Sequence, residues 1–139
     1  MNGGPPTTSL EGCNIFFAKP RQFVPGETFY NTGTSHSSTE KSQKILLALS
    51  PLDGKLVWSY PQVGSGRSWA GTLTTAGGLV FFGDDSESFE AVDASTGRPL
   101  WHFNTGQVMR ASPMTYAVDS VQYVAISAGS DVFSFSLPH

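Results

Sequence analysis

The chain has 139 residues, 8 Lys and Arg against 11 Asp and Glu, a formal net charge of −3, and 15 Gly with 9 Pro. The basic residues are scattered singly, so nothing forms the patch that nucleic acid or an anionic membrane requires, and no apolar stretch approaches the roughly 20 residues of a membrane-spanning helix. Abundant Gly, Pro and aromatics, few charges and no long run with helical apolar spacing indicate an all-β chain.

In chain order, "MNGGPPTTSLEG" lacks the charged and apolar regions of a signal peptide. Cys13 is the single cysteine. It excludes an internal disulfide, has no zinc or haem-attachment spacing around it, and is expected as a small buried apolar side chain. Residues 19–43 read as a long irregular insertion. "KILLALS" (44–50) and "KLVWSYP" (55–61) then read as strands of a partial unit. Four short strands follow at 72–75, 79–83, 88–93 and 99–104, joined by turns at Ala76–Gly78, Asp84–Glu87 and Ala94–Arg98, and they make one antiparallel meander. The turn "GDDSESF" (83–89) is dense in carboxylates but lacks the ligand spacing of a calcium loop, so it is expected as a solvent-exposed hairpin turn without metal. "ASPMTY" (111–116), "QYVAISA" (122–128) and "DVFSFSL" (131–137) supply three strands of a further unit. His36, His102 and His139 are too dispersed to form a metal or catalytic cluster, and His102 should alternate with Trp101 across its strand.

Two stretches repeat without a gap. "ALSPLDGKLVW" (48–58) and "AVDASTGRPLW" (91–101) lie 43 positions apart, with Ala48 on Ala91, Gly54 on Gly97, Lys55 on Arg98 and Trp58 on Trp101. The same offset carries Ala91 onto Ser134 and Val92 onto Phe135, a third copy that stops before its turn and tryptophan. Four-stranded sheets repeated at roughly 40 to 50 residues are the mark of a β-propeller, in which neighbouring blades bury one another's faces. In that arrangement Trp58 and Trp101 are inter-blade plugs, both expected to be largely buried against the adjacent blade.

The stretch from "WAGTLTTAGGLVFFGDD" through "SAGSDVFSFSLP" (69–138) resembles the C-terminal end of the pyrroloquinoline-quinone (PQQ)-dependent alcohol dehydrogenases, the methanol and ethanol dehydrogenase family of quinoproteins. The A-x-D-x-x-T-G-x-x-x-W pattern of Ala91 to Trp101 is similar to that family's tryptophan-docking motif, and the first copy carries Ser50 for the Asp and Asp53 for the Thr. The resemblance implies an eight-bladed propeller holding the quinone and a calcium ion near its axis, oxidation of a small alcohol, a periplasmic location and transfer of electrons to a carrier. With no C-x-x-C-H in the chain, that carrier would be a separate acceptor such as a cytochrome c. At 43 residues per blade the 139 residues correspond to about three blades, a C-terminal propeller segment with the remaining blades of a parent chain as partners. Its expected divisions are an incomplete blade over 1–61 containing the 19–43 insertion, a complete blade over 69–104, and an incomplete final blade over 108–138. The family's calcium ligands, catalytic Asp and adjacent cysteine pair lie upstream of the matched stretch. No catalytic or metal-binding residue is therefore assigned, and the isolated chain, read as begun at an internal Met1, is expected to be inactive.

Two places match positions that face the quinone. Trp69, with Ala70 beside it, stands just before the innermost strand of its blade, where a ring can point into the central channel; a packing Trp at a blade mouth is the structural alternative. The turn at Gly129, Ser130 and Asp131 matches a Gly-rich loop over the cofactor, although Ser130 and Asp131 replace the expected residues, and a plain hairpin serves as well. A second functional class shares the fold: a non-catalytic PQQ-like propeller acting as a scaffold for protein binding. Trp69 favours the dehydrogenase, because a scaffold needs no ring at the channel mouth.

Overall fold

The structure, a computed structural model, describes residues 7–10, 16–17, 24–26, 33–34, 43–64 and 70–136. All regular structure among them is strand: β1 (Thr7–Leu10), β2 (Phe16–Phe17), β3 (Gly33–Thr34), β4 (Lys44–Leu49), β5 (Leu56–Gln62), β6 (Thr72–Thr74), β7 (Leu79–Gly83), β8 (Ser88–Asp93), β9 (Pro99–Asn104), β10 (Met114–Val118), β11 (Val121–Ala128) and β12 (Asp131–Ser136). They form antiparallel sheets in the orders β1-β4-β5, β6-β7-β8-β9 and β10-β11-β12, with β2 and β3 as a separate ribbon. The expected meander is present, three of its four strands with the expected bounds, and β6 ends one residue early at Thr74. Strand β1, which pairs Thr7–Leu10 with Ile45–Ala48, was not anticipated from the sequence, and β3 lies inside the stretch expected to be irregular. Cys13, His36 and His139 lie outside the described residues.

Period-two alternation gives the middle sheet two apolar faces. Val80, Phe82 and Val92 join Leu46, Ala48, Trp58 and Ala94 in one buried cluster with the first sheet, and Tyr60 packs at its margin. Phe89 joins Met109, Ile126 and Ala128 in a second cluster with the third sheet, flanked by Phe81, Phe133 and Phe135. The middle sheet is thus covered on both sides, the stacking expected of propeller blades.

The repeated motif has a physical explanation. In both copies the strand register slips at the repeated alanine: Ala48 pairs with Trp58 and Leu49 with Leu56, while Ala91 pairs with Trp101 and Val92 with Pro99. Val57 and Leu100 are the extra residues of two equivalent β-bulges, and both are exposed. The small alanine opposite each tryptophan leaves room for the indole above the sheet. The turns are also alike: Gly54 N–H donates to Ser50 O and Gly97 N–H to Asp93 O, each at 2.8 Å, with left-handed φ of 70° and 71°. In the second copy Asp93 Oδ1 accepts from the backbone and hydroxyls of both Ser95 and Thr96 at 2.6–3.0 Å. These bonds hold the Asp93 carboxyl down at about 2, the Ser95 contact contributing most.

Trp58 crosses from the first sheet to this turn. Its indole Nε1–H donates to Ala94 O at 2.9 Å, and the ring lies so close to Gly97 that a Cβ there would stand 2.6 Å from Cε3. Trp58 is 8% exposed, as expected, whereas Trp101 is 40% exposed and the expectation of burial fails for it. Trp101 meets Phe135 edge-on at 5.1 Å and Phe89 at 6.0 Å, but the residue equivalent to Ala94 in the third copy is Leu137, outside the described residues. Among the described residues the third sheet ends at β12, so no fourth strand covers the rest of the ring.

Trp58→Ala is therefore expected to destabilise by roughly 3 to 5 kcal/mol and Trp101→Ala by clearly less. Gly97→Ala should also destabilise, through its left-handed φ and its clash with the indole, and urea unfolding of the three variants against the parent measures all of these. Removing the carboxylate by Asp93→Ala should act mainly at neutral pH. The stability it contributes is present above the ordinary value of 3.8 and is lost as pH falls toward about 2, so parent and variant should converge in acid.

Candidate functional site at the common end of the sheets

Antiparallel order sends alternate connections to the same end of each sheet. Lys44 pairs with Gln62 at one end of the first sheet, Thr72 with Phe82 and Ser88 with Asn104 at the corresponding end of the second, and β11 turns into β12 at Gly129–Ser130 in the third. Cross-links join these ends. Lys44 Nζ approaches Asp85 Oδ1 at 3.5 Å between the first two sheets, and Met109 bridges to Ala128 between the second and third. The opposite ends carry the two repeat turns.

Between the first and second sheets the common end is a buried polar layer. The Lys44 side chain is 1% exposed and Asp84 is 1% exposed. Asp84 Oδ1 accepts from Ser86 N–H, Ser86 Oγ–H and Ser88 N–H at 2.9, 2.6 and 3.2 Å, while Oδ2 has no partner among the described residues. The expectation of a solvent-exposed "GDDSESF" turn is therefore wrong for its acidic pair. The hairpin turns as expected, but the neighbouring sheet supplies a buried ammonium, and Gly64 leaves no room beyond Asp85. Tyr60 Oη–H donates to Glu90 Oε2 at 2.7 Å. Burial pushes the Glu90 carboxyl above its ordinary value, with Asp84 adding to the shift and the Tyr60 bond and His102 opposing it. Burial first, then the bond to Glu90, pushes the Tyr60 hydroxyl up to about 12. His102 pairs with Glu90 and Trp101 with Ala91, the alternation the sequence implied.

Between the second and third sheets the same end opens into a cavity of about 670 Å³, walled by Glu87, Gln107, Arg110, Ala111, Ser127 and Gly129 among others. Gln107 organises this wall. Its Nε2–H donates to Asp131 Oδ2 at 2.6 Å, its Oε1 accepts from Ser130 N–H at 3.3 Å, and Gly129 N–H donates to Val108 O at 3.3 Å. Gly129 has a φ of 58°, and a Cβ there would overlap the Gln107 side chain, so the backbone can pass only as glycine. Glu87 also has a left-handed φ, 66°, which strains a non-glycine residue beside the cavity.

Of the residues singled out in the sequence, Gly129 lines this cavity and Ser130 is an exposed neighbour bonded to Gln107. Ala70 is half-buried against the second apolar cluster, and Trp69 lies outside the described residues. Gln107, Arg110 and the buried Lys44–Asp85 pair were missed. Each is an ordinary polar residue, Lys44 at the start of β4 and the others in connections, and only the packing of one sheet on the next shows what it faces. Among the described residues no group of three or more His, Cys, Asp or Glu is placed to hold a metal.

The sheets, their stacking and the open end define a segment of a β-propeller, and comparison with known proteins specifies the class. Residues 61–124 match the PQQ family described as the glucose/ethanol/alcohol dehydrogenase β-propeller domain. The chain is 50% identical over 85 residues to the 1-butanol dehydrogenase (quinone) of Thauera butanivorans, covering 61% of this chain and 13% of that protein. It is 42% identical over 120 residues to the quinohaemoprotein alcohol dehydrogenase ADH IIB of Pseudomonas putida, covering 83% of this chain and 17% of that protein. The solved quinohaemoprotein alcohol dehydrogenase ADHIIG of Pseudomonas putida HK5 superposes with a TM-score of 0.71 at 27% identity, over 93% of this chain and 21% of that one. The chain belongs to the PQQ-dependent alcohol dehydrogenase family and spans 13% to 17% of the length of these two curated relatives.

Glu90 yields a pH-dependent test. Its folded carboxyl keeps its proton to higher pH than the unfolded one, so its ionisation removes stability as pH rises from the ordinary 4.5 toward the raised folded value. Glu90→Gln, which can still accept from Tyr60, should be more stable than the parent above that window and no more stable below it. Urea midpoints measured from about pH 4 to 8 would show the two curves parting as pH rises.

Proposed function

We propose that this chain is the C-terminal propeller segment of a periplasmic PQQ-dependent alcohol dehydrogenase, contributing blades and one wall of the quinone chamber. In this reading residues 1–61 belong to an incomplete blade, 69–104 form a complete blade and 108–138 an incomplete final one. The observation that carries it is the 42% identity to a quinohaemoprotein alcohol dehydrogenase along 83% of the chain, which includes the stretch leading into the cavity wall.

The residues present suit a flat polar cofactor. The cavity has a guanidinium, an amide and a hydroxyl on its walls, with a single carboxylate among the described residues, that of Glu87. When bound, the quinone supplies the two-electron acceptor for a small primary or secondary alcohol, and calcium, held by residues outside this chain, would polarise it. Within this chain Gln107 fixes the Gly129–Asp131 turn by bonding to both Ser130 and Asp131, so the wall keeps its shape without the ligand. Ala70, two residues before β6, packs against the second apolar cluster, and Trp69 is its neighbour in sequence, the residue the family resemblance puts at the chamber mouth. Electrons would leave to a separate acceptor such as a cytochrome c.

Trp69→Ala in the full-length protein should weaken quinone binding several-fold, on the order of 1 kcal/mol beyond area burial, while lowering stability less than Trp58→Ala does. Titration of apo-protein with PQQ, set beside thermal unfolding, separates the two effects. Unchanged quinone affinity with a large fall in melting temperature would reassign Trp69 to blade packing. The 139-residue chain alone, supplied with PQQ and calcium, should reduce no dye in the presence of alcohol, because the family's catalytic Asp and calcium ligands are not within it.

A further inference from the structure

We propose that Arg110 is an anion-binding side chain of the cavity between the second and third sheets, and that its ligand is a carboxylate of the quinone. This rests on the function proposed above. Arg110 is exposed on the cavity wall, in the connection from β9 to β10, and among the described residues it forms no ion pair. The other groups around it leave it available. Asp131 is held by Gln107 Nε2 on the far side of the turn, and Glu87, the carboxylate on the cavity wall itself, is likewise in no ion pair.

The backbone fixes where the guanidinium starts. Met109, the preceding residue, is fully buried and bridges to Ala128, so the chain at Arg110 is tied to the third sheet while its side chain faces the opening. Val108 O accepts from Gly129 N–H, which closes the same loop from the other side. A planar fork of donors on a fixed stem suits a carboxylate, and PQQ is a planar tricarboxylate. Ser127 adds a hydroxyl on the same wall.

The test uses the full-length protein in its apo form, titrated with PQQ and separately with PQQ trimethyl ester, which keeps the ring and neutralises the carboxylates. Arg110→Met should weaken PQQ binding by at least about tenfold and leave ester binding within about twofold, and Arg110→Lys should fall between parent and Arg110→Met for PQQ. The parent's affinity for PQQ should decline with salt more steeply than that of Arg110→Met. Equal PQQ affinity in parent and Arg110→Met would overturn the assignment. So would an equal loss for acid and ester, since that pattern marks a structural role. A parent that binds neither quinone would instead overturn the proposed function, so the two failures are distinguishable.

Discussion

The contact between the Trp58 indole and the Ala94–Gly97 turn sets the relation of one sheet to the next. Its hydrogen bond alone is worth about 1 kcal/mol, but the carbonyl it satisfies belongs to a turn whose remaining bonds stay within the middle sheet, to its own residues and to Gly78 O. The indole therefore determines which part of the neighbouring sheet lies against the first, and a bulge at Val57 is needed to aim it there. Each element of the repeat serves this contact: alanine opposite the ring for space, glycine under it for close approach, and the Asp93 bonds to keep the receiving turn rigid. Removing any one changes the docking of two sheets, not one side chain.

With the sheets fixed at the repeat-turn ends, their other ends are free to carry polar chemistry. The first interface at that end holds Lys44 against Asp85 and Tyr60 against Glu90, charges and hydroxyls that would be costly to bury unpaired. The second interface opens instead into the Arg110 cavity. The difference follows from the connections. Gly64 and Asp85 pack without room for a methyl group, whereas the β9–β10 connection runs through Thr105–Ala111 and is held off by Gln107 under the third sheet's turn. A cavity results where the Gln107 side chain spaces the two sheets, and none among the described residues where Gly64 packs directly on Asp85.

Much of this was legible in the residues. The gapless 43-residue repeat, the alternation in "SFEAVD" and the turn residues fixed β7, β8 and β9 to the residue, because local propensity and burial agree there. Strand β1 was not, since "TTSL" is too short and too polar to announce itself and pairs only with a strand 38 residues away. The acidic turn misled for a related reason: composition reports solvent preference, and a buried ammonium from another sheet reverses it. Trp101 misled in the opposite sense. Its sequence position equals that of Trp58, but burial depends on what the following sheet offers, and the two neighbours differ. Gly129 was found because its turn matches a Gly-rich loop of the family the chain resembles, whereas Gln107 and Arg110 act through reach across an interface, which leaves no trace in the sequence.

Burial across the three sheets carries one more consequence. Val80, Phe82, Phe89 and Val92 of the middle sheet are essentially inaccessible, because that sheet is covered on both faces. On the third sheet Met114, Val118 and Val132 stand 56%, 49% and 75% exposed, and Tyr116 and Tyr123 stack on one another at 5.1 Å along the same outward side. These residues alternate with Val124, Ile126 and Phe133, which face the middle sheet, so the outward row has the periodicity of a second buried face. Contiguous exposed apolar rows of this kind are a mark of interaction surfaces. The outward row of the third sheet thus repeats the alternation by which the middle sheet meets both of its neighbours.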